Sequence, residues 1–253
     1  MTDSVLNVVL GLTASAISAA LGWLAQNLRR RRRLGRVRTF FGMPPGTECL
    51  LVVNRQAGAV SPRSVQRNDV YALMELAALV KECGARAEIV AHDQVGQGLG
   101  HKAEFCLGGP GSNDRTGAHL ASWLPGVRFA NRSGTEGADH RDLTISVGDE
   151  DFRYIHGGTA TPGGPTFVLL ARLHAGPGSR PVFLIAGQTA MSNHAAVRHL
   201  VANHRRLATR YGTDATFALV LRVVNPGAYG PDVVEIASDV TTKATAAPDV
   251  VTV

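Results

Sequence analysis

Apolar and polar positions fall into three patterns along the chain. From Ser4 to Ala25 apolar and small residues run without a single charge. From Cys49 onward, short continuous apolar runs alternate with glycine-rich loops and with segments of helical apolar spacing. Between Leu143 and Ile155, apolar and polar residues alternate around Gly148-Asp149. The first pattern predicts a long apolar helix, the second βαβ units around a parallel sheet, and the third an antiparallel hairpin.

Cys49-Leu-Leu-Val-Val-Asn54 reads as a strand covered on both faces. After a polar loop, Asp69 stands before VYALMELAALVKEC as the expected cap of a helix whose Val70, Leu73, Leu76, Ala77 and Val80 keep helical spacing up to Gly84. Strands are expected at 87–91 and at Glu104-Phe-Cys-Leu107. The second breaks into Gly108-Gly109-Pro110-Gly111-Ser112-Asn113 and a helix carrying Thr116, His119, Leu120 and Trp123. Further strands are predicted at 167–173, 182–186 and 217–224, the second of which enters Gly187-Gln188-Thr189 and a helix from His194 to about Tyr211. The fold class expected is α/β: a Rossmann-like, mostly parallel sheet with an inserted antiparallel hairpin, preceded by one N-terminal transmembrane helix. The divisions are an anchor at 1–28, a basic juxtamembrane linker at 29–45, the α/β domain at 46–230 and a polar, fraying tail at 231–253.

As a helix, the charge-free run is roughly 33 Å long at ~1.5 Å per residue, enough for a bilayer core. No positive charge precedes it and seven arginines follow between Arg29 and Arg38, so it reads as an anchor with the C-terminal domain on the cytoplasmic side, not as a cleaved leader. Asn7, Thr13, Ser15 and Ser18 weaken that pattern, and a helix lying in the interface or packed on a partner is the alternative. Small residues at every fourth position, Gly11, Ser15, Ala19 and Ala14, Ser18, Gly22, suit close packing of two such helices and hence a homo-oligomer.

A net charge of +6 invites a nucleic-acid partner. Of the 26 basic residues, however, seven lie in the arginine segment, and the other 19 face 20 acidic ones. The folded domain is therefore expected not to bind nucleic acid. Cys49, Cys83 and Cys106 show no ligand spacing and read as buried thiols. Nine scattered histidines form no HExxH pattern, so no metal site is expected, and no cofactor is implied.

Candidate chemistry lies in the two glycine loops. Gly108, Gly109, Gly111, Ser112 and Asn113 run into a helix N-terminus, where backbone N–H groups and the helix dipole suit a phosphate, with Thr116 or Arg115 in support. The loop is neither GxGxxG nor GxxxxGK[ST], and Ser112 or Asn113 as a plain cap is the competing explanation. Gln188, Thr189, Ser192 and Asn193 offer neutral groups suited to a ribose, base or carbonyl. Should the domain be an enzyme, Asp69, Glu75 and Glu104 are the candidate acids, although Asp69 suits a cap, Glu75 a solvent position and Glu104 a sheet edge.

GGPGSNDRT, the apolar anchor, the arginine run, FFG and the later AGQTAMSN resemble a group of uncharacterised membrane-anchored or supposedly secreted proteins of high-GC actinobacteria, over most of residues 1–225. That resemblance brings no established activity. The GGPxSN element is also similar to the nucleotide-facing loop of Rossmann-like sensor and effector domains in bacterial conflict systems, which implies a nucleotide-like ligand by analogy of fold. Three functions stay open: a membrane-tethered sensor or effector of a nucleotide-like or other anionic ligand, an enzyme acting on a nucleotide or its glycosidic bond, and a scaffold with no small ligand.

Overall fold

The computed structural model describes residues 2–56, 64–96, 98–133, 141–156 and 164–247, with only the backbone for 2–9, 11–14, 16, 132–133, 141–142 and 155–156. A helix α1 (Thr2–Phe41) is followed by β1 (Glu48–Val53), α2 (Arg67–Cys83), β2 (Arg86–Ala91), β3 (Ala103–Leu107) and α3 (Asp114–Trp123). Three antiparallel strands come next: β4 (Val127–Ser133), β5 (Arg141–Val147) and β6 (Glu150–His156). The chain then returns through β7 (Thr166–Leu173), β8 (Val182–Gly187), α4 (Ala190–Tyr211), β9 (Phe217–Val223), α5 (Pro226–Tyr229), β10 (Val234–Asp239) and α6 (Thr241–Thr245).

The main sheet has the order β10-β9-β7-β8-β3-β1-β2. Strands β2, β1, β3 and β8 pair in parallel, while β7 is antiparallel to both β8 and β9, and β10 antiparallel to β9. The α/β class thus holds with a mostly parallel mixed sheet. What the alternation predicts as a lone hairpin is the β5–β6 part of a three-stranded sheet, to which β4 adds residue by residue from Val127 opposite Val147.

Alternate residues of the central strands supply two cores. Cys49, Leu51, Phe105, Leu107, Phe183 and Ile185 face α2, α4 and the end of α1. Leu50, Val52, Cys106, Leu184 and Ala186 face α3, the small sheet and α6. Burial on both faces is why these strands read as unbroken apolar runs.

The root of α1 belongs to the domain. Residues 29–41, expected as part of a linker, are helical, and Val37, Phe40, Phe41 and Met43 are buried in the first core. Phe41 packs on Phe183 at 5.4 Å between ring centroids, and the buried Arg172 guanidinium sits 4.9 Å from the Phe40 ring and 5.1 Å from that of Phe217. Arg172 donates to the Ala215 and Gly212 carbonyls in the turn before β9. Burial pulls its pKa down to about 10.

Further up α1, Leu10, Ile17, Leu21, Trp23, Leu24 and Leu28 are exposed, and so are Arg29 to Arg33. Among the described residues no helix is long and apolar enough to cross a membrane. Most of the charge-free run up to Ala16 lies outside the described side chains, as does part of the polar loop after β1. The tail expected to fray from 231 instead pairs as β10 and turns into α6, whose Ala244 is buried with Val240 against the second core. Residues 248–253 lie outside the described set.

Candidate functional site

The carboxyl ends of β1, β3 and β8 meet at one edge of the main sheet, and there a buried polar cluster joins them. Asp69 is fully buried and is the third residue of α2, not its cap; the cap position is Gln66, which makes no side-chain bond. Asn54, just past β1, donates Nδ2 to Asp69 Oδ2 at 2.9 Å. Asn193 donates Nδ2 to Asp69 Oδ1 at 2.8 Å while its own Oδ1 accepts the Gly187 N–H at 2.8 Å. Burial raises the Asp69 pKa, and the two amides oppose the rise. Asn54 Oδ1 is buried and has no partner among the described residues.

The two glycine loops lie side by side at this edge. A Cβ built on Gly109 would come within 3.8 Å of the Gly187 carbonyl and 3.6 Å of the Phe129 ring. Gly108 takes φ +93°, and a Cβ there would stand 2.7 Å from Asn54 Cβ, so only glycine fits.

Many of the polar groups expected to face a ligand are spent inside the fold. Asn113 caps α3, its Oδ1 accepting the Thr116 N–H and its Nδ2 donating to the Leu107 carbonyl. Ser112 Oγ and the N–H groups of Ser112 and Asn113 point back to the Gly109 carbonyl, and the Gly108 N–H donates to Ile185. Thr116 is buried.

Helix α4 starts four residues before the expected His194, capped by Thr189 in a reciprocal pair with Ser192. Gln188 staples the two sheets: it donates to the Leu143 and Phe152 carbonyls and accepts the Phe167 N–H. Gly109 and the exposed Gly111 remain on the open side of the loop, with no atom within 4 Å of a Cβ built on Gly111.

Beside Asp69, Glu75 Oε1 lies 3.0 Å from His194 Nε2, and the Tyr71 ring lies 5.8 Å from that imidazole. Glu75 is half-buried, not a plain solvent residue, and Arg198 Nε approaches it to 3.9 Å. His194 Nδ1 is buried without a partner among the described residues. Sequence spacing could not select His194 from nine histidines, because its partner is 119 residues away. Val70, Tyr71 and Met74 on the same helix are exposed, so the apolar stripe of α2 begins at Ala72 and Leu73 and not at Val70.

Glu104 belongs to a different place. It lies in the interior strand β3, not at a sheet edge, and is buried under α3. Arg115 grips both carboxylate oxygens at 2.9 Å, so it cannot support a phosphate in the Gly108 loop. His119 Nε2 and Cys106 Sγ each lie 3.0 Å from Oε1. Burial alone would raise the Glu104 pKa, but the hydrogen bonds from Arg115, His119 and Cys106 outweigh it and bring it to about 2. Burial pushes the Cys106 thiol well above its ordinary value. The ligand atoms of Glu104, Cys106 and His119 lie within 4.8 Å of one another, a spacing that could hold a cation, but the carboxylate is already neutralised by a guanidinium. The cluster is a buried ion pair with its hydrogen bonds filled.

Two cavities lie away from this edge. One of about 420 Å³ opens between the later turns of α4 and Ile236. The other, about 830 Å³, opens where α1 joins the domain, between Arg38, Pro44, His174 and Arg180. Comparison of the chain with family models, with curated proteins and with solved structures finds no match.

Proposed function

We propose that the chain is a membrane-tethered domain that holds a nucleotide-like small ligand at the carboxyl edge of its main sheet, on the cytoplasmic face, and passes the bound state to α1. The observation that carries this is Asn54 Oδ1, a buried acceptor without a partner among the described residues, at the point where the ends of β1, β3 and β8 converge. In open α/β sheets ligands settle at that edge. An acceptor beside the Asp69 carboxyl suits a sugar hydroxyl or base N–H, while an anionic group suits Gly109 and Gly111, ahead of the α3 N-terminus.

Helix α4 supports the sensing role, because it runs from Asn193 at this edge to His204, whose ring lies 5.8 Å from that of Phe41 in α1. The tether rests on the exposed apolar positions of α1 followed by Arg29 to Arg33, which stay on the cytoplasmic side of a bilayer.

One observation favours a second reading, an enzyme acting on a nucleotide or its glycosidic bond. The Glu75 and His194 pair has the contact of an acid with the group that orients it. Melting of the full chain across a panel of nucleotides, with product analysis of each mixture, tests both. A ligand at ~100-fold its dissociation constant adds about 2.7 kcal/mol of stability. No rise with any nucleotide leaves an interaction scaffold; a rise without products leaves the sensor; products name the enzyme.

A further inference from the structure

The larger cavity lies at the opposite end of the sheet from the ligand edge, at the root of α1. Gly35, Arg38 and Thr39 form one wall and the loop before β8, with His174 and Arg180, forms another. Arg38 and Arg180 are the cations among its lining residues and Asp214 the acid. Each arginine spends an N–H on a carbonyl, Arg38 Nε on Cys83 at 2.8 Å and Arg180 on Gly42 at 3.1 Å. These bonds fix both guanidinium groups at the wall, and a guanidinium has five N–H donors. His174 Nε2 is buried with no partner among the described residues.

Arg31 and Arg32 precede Gly35 by one helical turn, so they continue the same face of α1 away from the cavity. From Leu28, the last apolar residue before the arginines, to Gly35 the helix rises roughly 10 Å. A headgroup layer is ~5–8 Å thick on each side of a bilayer. If α1 is the tether, the cavity opens at or just below that layer.

We propose that this cavity binds a phosphate group, that of an anionic lipid headgroup at the membrane surface, held by Arg38 and Arg180. A planar guanidinium matches phosphate oxygens in a two-pronged grip that a hydrated ammonium does not offer. About 830 Å³ accommodates a glycerophosphate headgroup, within the usual range of small-molecule sites. Occupancy would brace the junction between α1 and the domain, next to Arg172 and Phe40. The lipid source rests on the membrane-tethered reading; the phosphate chemistry does not.

The test is melting of the full chain in a neutral maltoside detergent with dihexanoyl phosphatidylglycerol, dihexanoyl phosphatidylcholine or inorganic phosphate. Phosphatidylglycerol at ~100-fold its dissociation constant should raise Tm by about 5–10 °C and phosphatidylcholine should not. Arg180→Gln should abolish the rise, while replacing Arg29 to Arg33 by glutamine should keep it. Asp214→Asn, which removes the one acid from the wall, should tighten binding several-fold, and it reads the site even if Arg180→Gln does not fold. An equal rise with inorganic phosphate overturns the lipid source. Absence of any rise, a rise that survives Arg180→Gln but not loss of the arginine run, or unchanged affinity in Asp214→Asn overturns the site. Flotation with pure phosphatidylcholine vesicles is read separately: failure to float sinks the tether and leaves the detergent result standing.

Discussion

Asn193 and Asp69 are 124 positions apart, yet the Asn193 amide donates to the Asp69 carboxyl at 2.8 Å and in the same geometry accepts the Gly187 N–H. One side chain thus ties the end of β8 and the start of α4 to the start of α2, and Asn54 adds the end of β1. The edge that receives the ligand in our proposal is held together by these three side chains.

Asp69→Asn should be tolerated and Asn193→Asp should not. In Asp69→Asn the new carbonyl can still accept from Asn193, and Asn54 can flip so that its Oδ1, without a partner among the described residues, takes the new N–H. Asn193→Asp sets two carboxylates face to face and removes a donor that nothing replaces, at ~2–3 kcal/mol. Urea unfolding of both variants at neutral pH measures the difference. Equal losses would mean that the cluster is not wired as described.

The pH dependence of Asp69 has a definite sign. Its folded-state pKa is raised, chiefly by burial, so the stability it contributes is full below the unfolded value of about 3.9 and is lost as pH rises through the folded value. Asp69→Asn removes that loss. The variant should therefore gain on the wild type as pH climbs from ~4 toward neutrality, read as the gap between their melting temperatures. A gap that does not change with pH would contradict a raised pKa.

Glu104 has the opposite sign. Held at about 2, its carboxylate contributes stability that is full above the unfolded value of about 4.3 and is lost as pH falls toward 2. Glu104→Gln leaves the largely covered Arg115 without its anion and should cost about 3 kcal/mol at pH 7. That deficit should shrink steadily below pH 4. A variant as stable as the wild type at neutral pH would mean that the ion pair is dispensable.

The legible part of the fold is the part where one periodicity has one cause. Continuous apolar runs at 49–53 and 182–186 mark strands covered on both faces, and the glycine loops after β3 and β8 mark their ends. Strand direction is not written in such runs, so β7 reads the same whether parallel or antiparallel to β8. β4 (VRFANRS) and the mostly exposed edge strand β10 carry too little apolar contrast to stand out.

At the site, Asn54, Asp69, Asn193 and the Glu75 and His194 pair meet only through tertiary contacts, which spacing along the chain does not encode. Glu104 misleads for a related reason. A lone acid beside an apolar strand suggests an edge until Arg115, eleven residues on, is brought down over it.

The burial of Phe40 and Phe41 makes the domain boundary testable. A chain beginning at residue 46 loses Val37, Phe40, Phe41 and Met43 from the core and uncovers the Arg172 guanidinium. Each buried phenylalanine alone is worth about 3–5 kcal/mol, comparable with the whole stability of a typical domain when two are lost. That chain should be insoluble or molten. One beginning at residue 34 should give a cooperative melt, and equal melts for the two would show that the α1 root is not part of the core.

Gly109 offers the cleanest separation of ligand binding from stability. Gly108 cannot serve, because its positive φ and the 2.7 Å approach to Asn54 make any side chain there a folding defect. At Gly109 the atoms nearest to a Cβ are those of the Phe129 ring at 3.6 Å and the Gly187 carbonyl at 3.8 Å, ordinary contacts that need no backbone shift. Gly109→Val should therefore fold with a melting temperature within a few degrees of the wild type, since changes that create neither a cavity nor a clash cost little. A side chain there starts between the Phe129 ring and the Gly187 carbonyl, at the edge where our proposal places the ligand. The nucleotide that stabilises the wild type should then bind at least ~10-fold more weakly, a penalty of about 1.4 kcal/mol. Titration calorimetry on wild type and Gly109→Val, matched for folded fraction by circular dichroism, gives the comparison. Unchanged affinity in a folded Gly109→Val would move the ligand away from this edge.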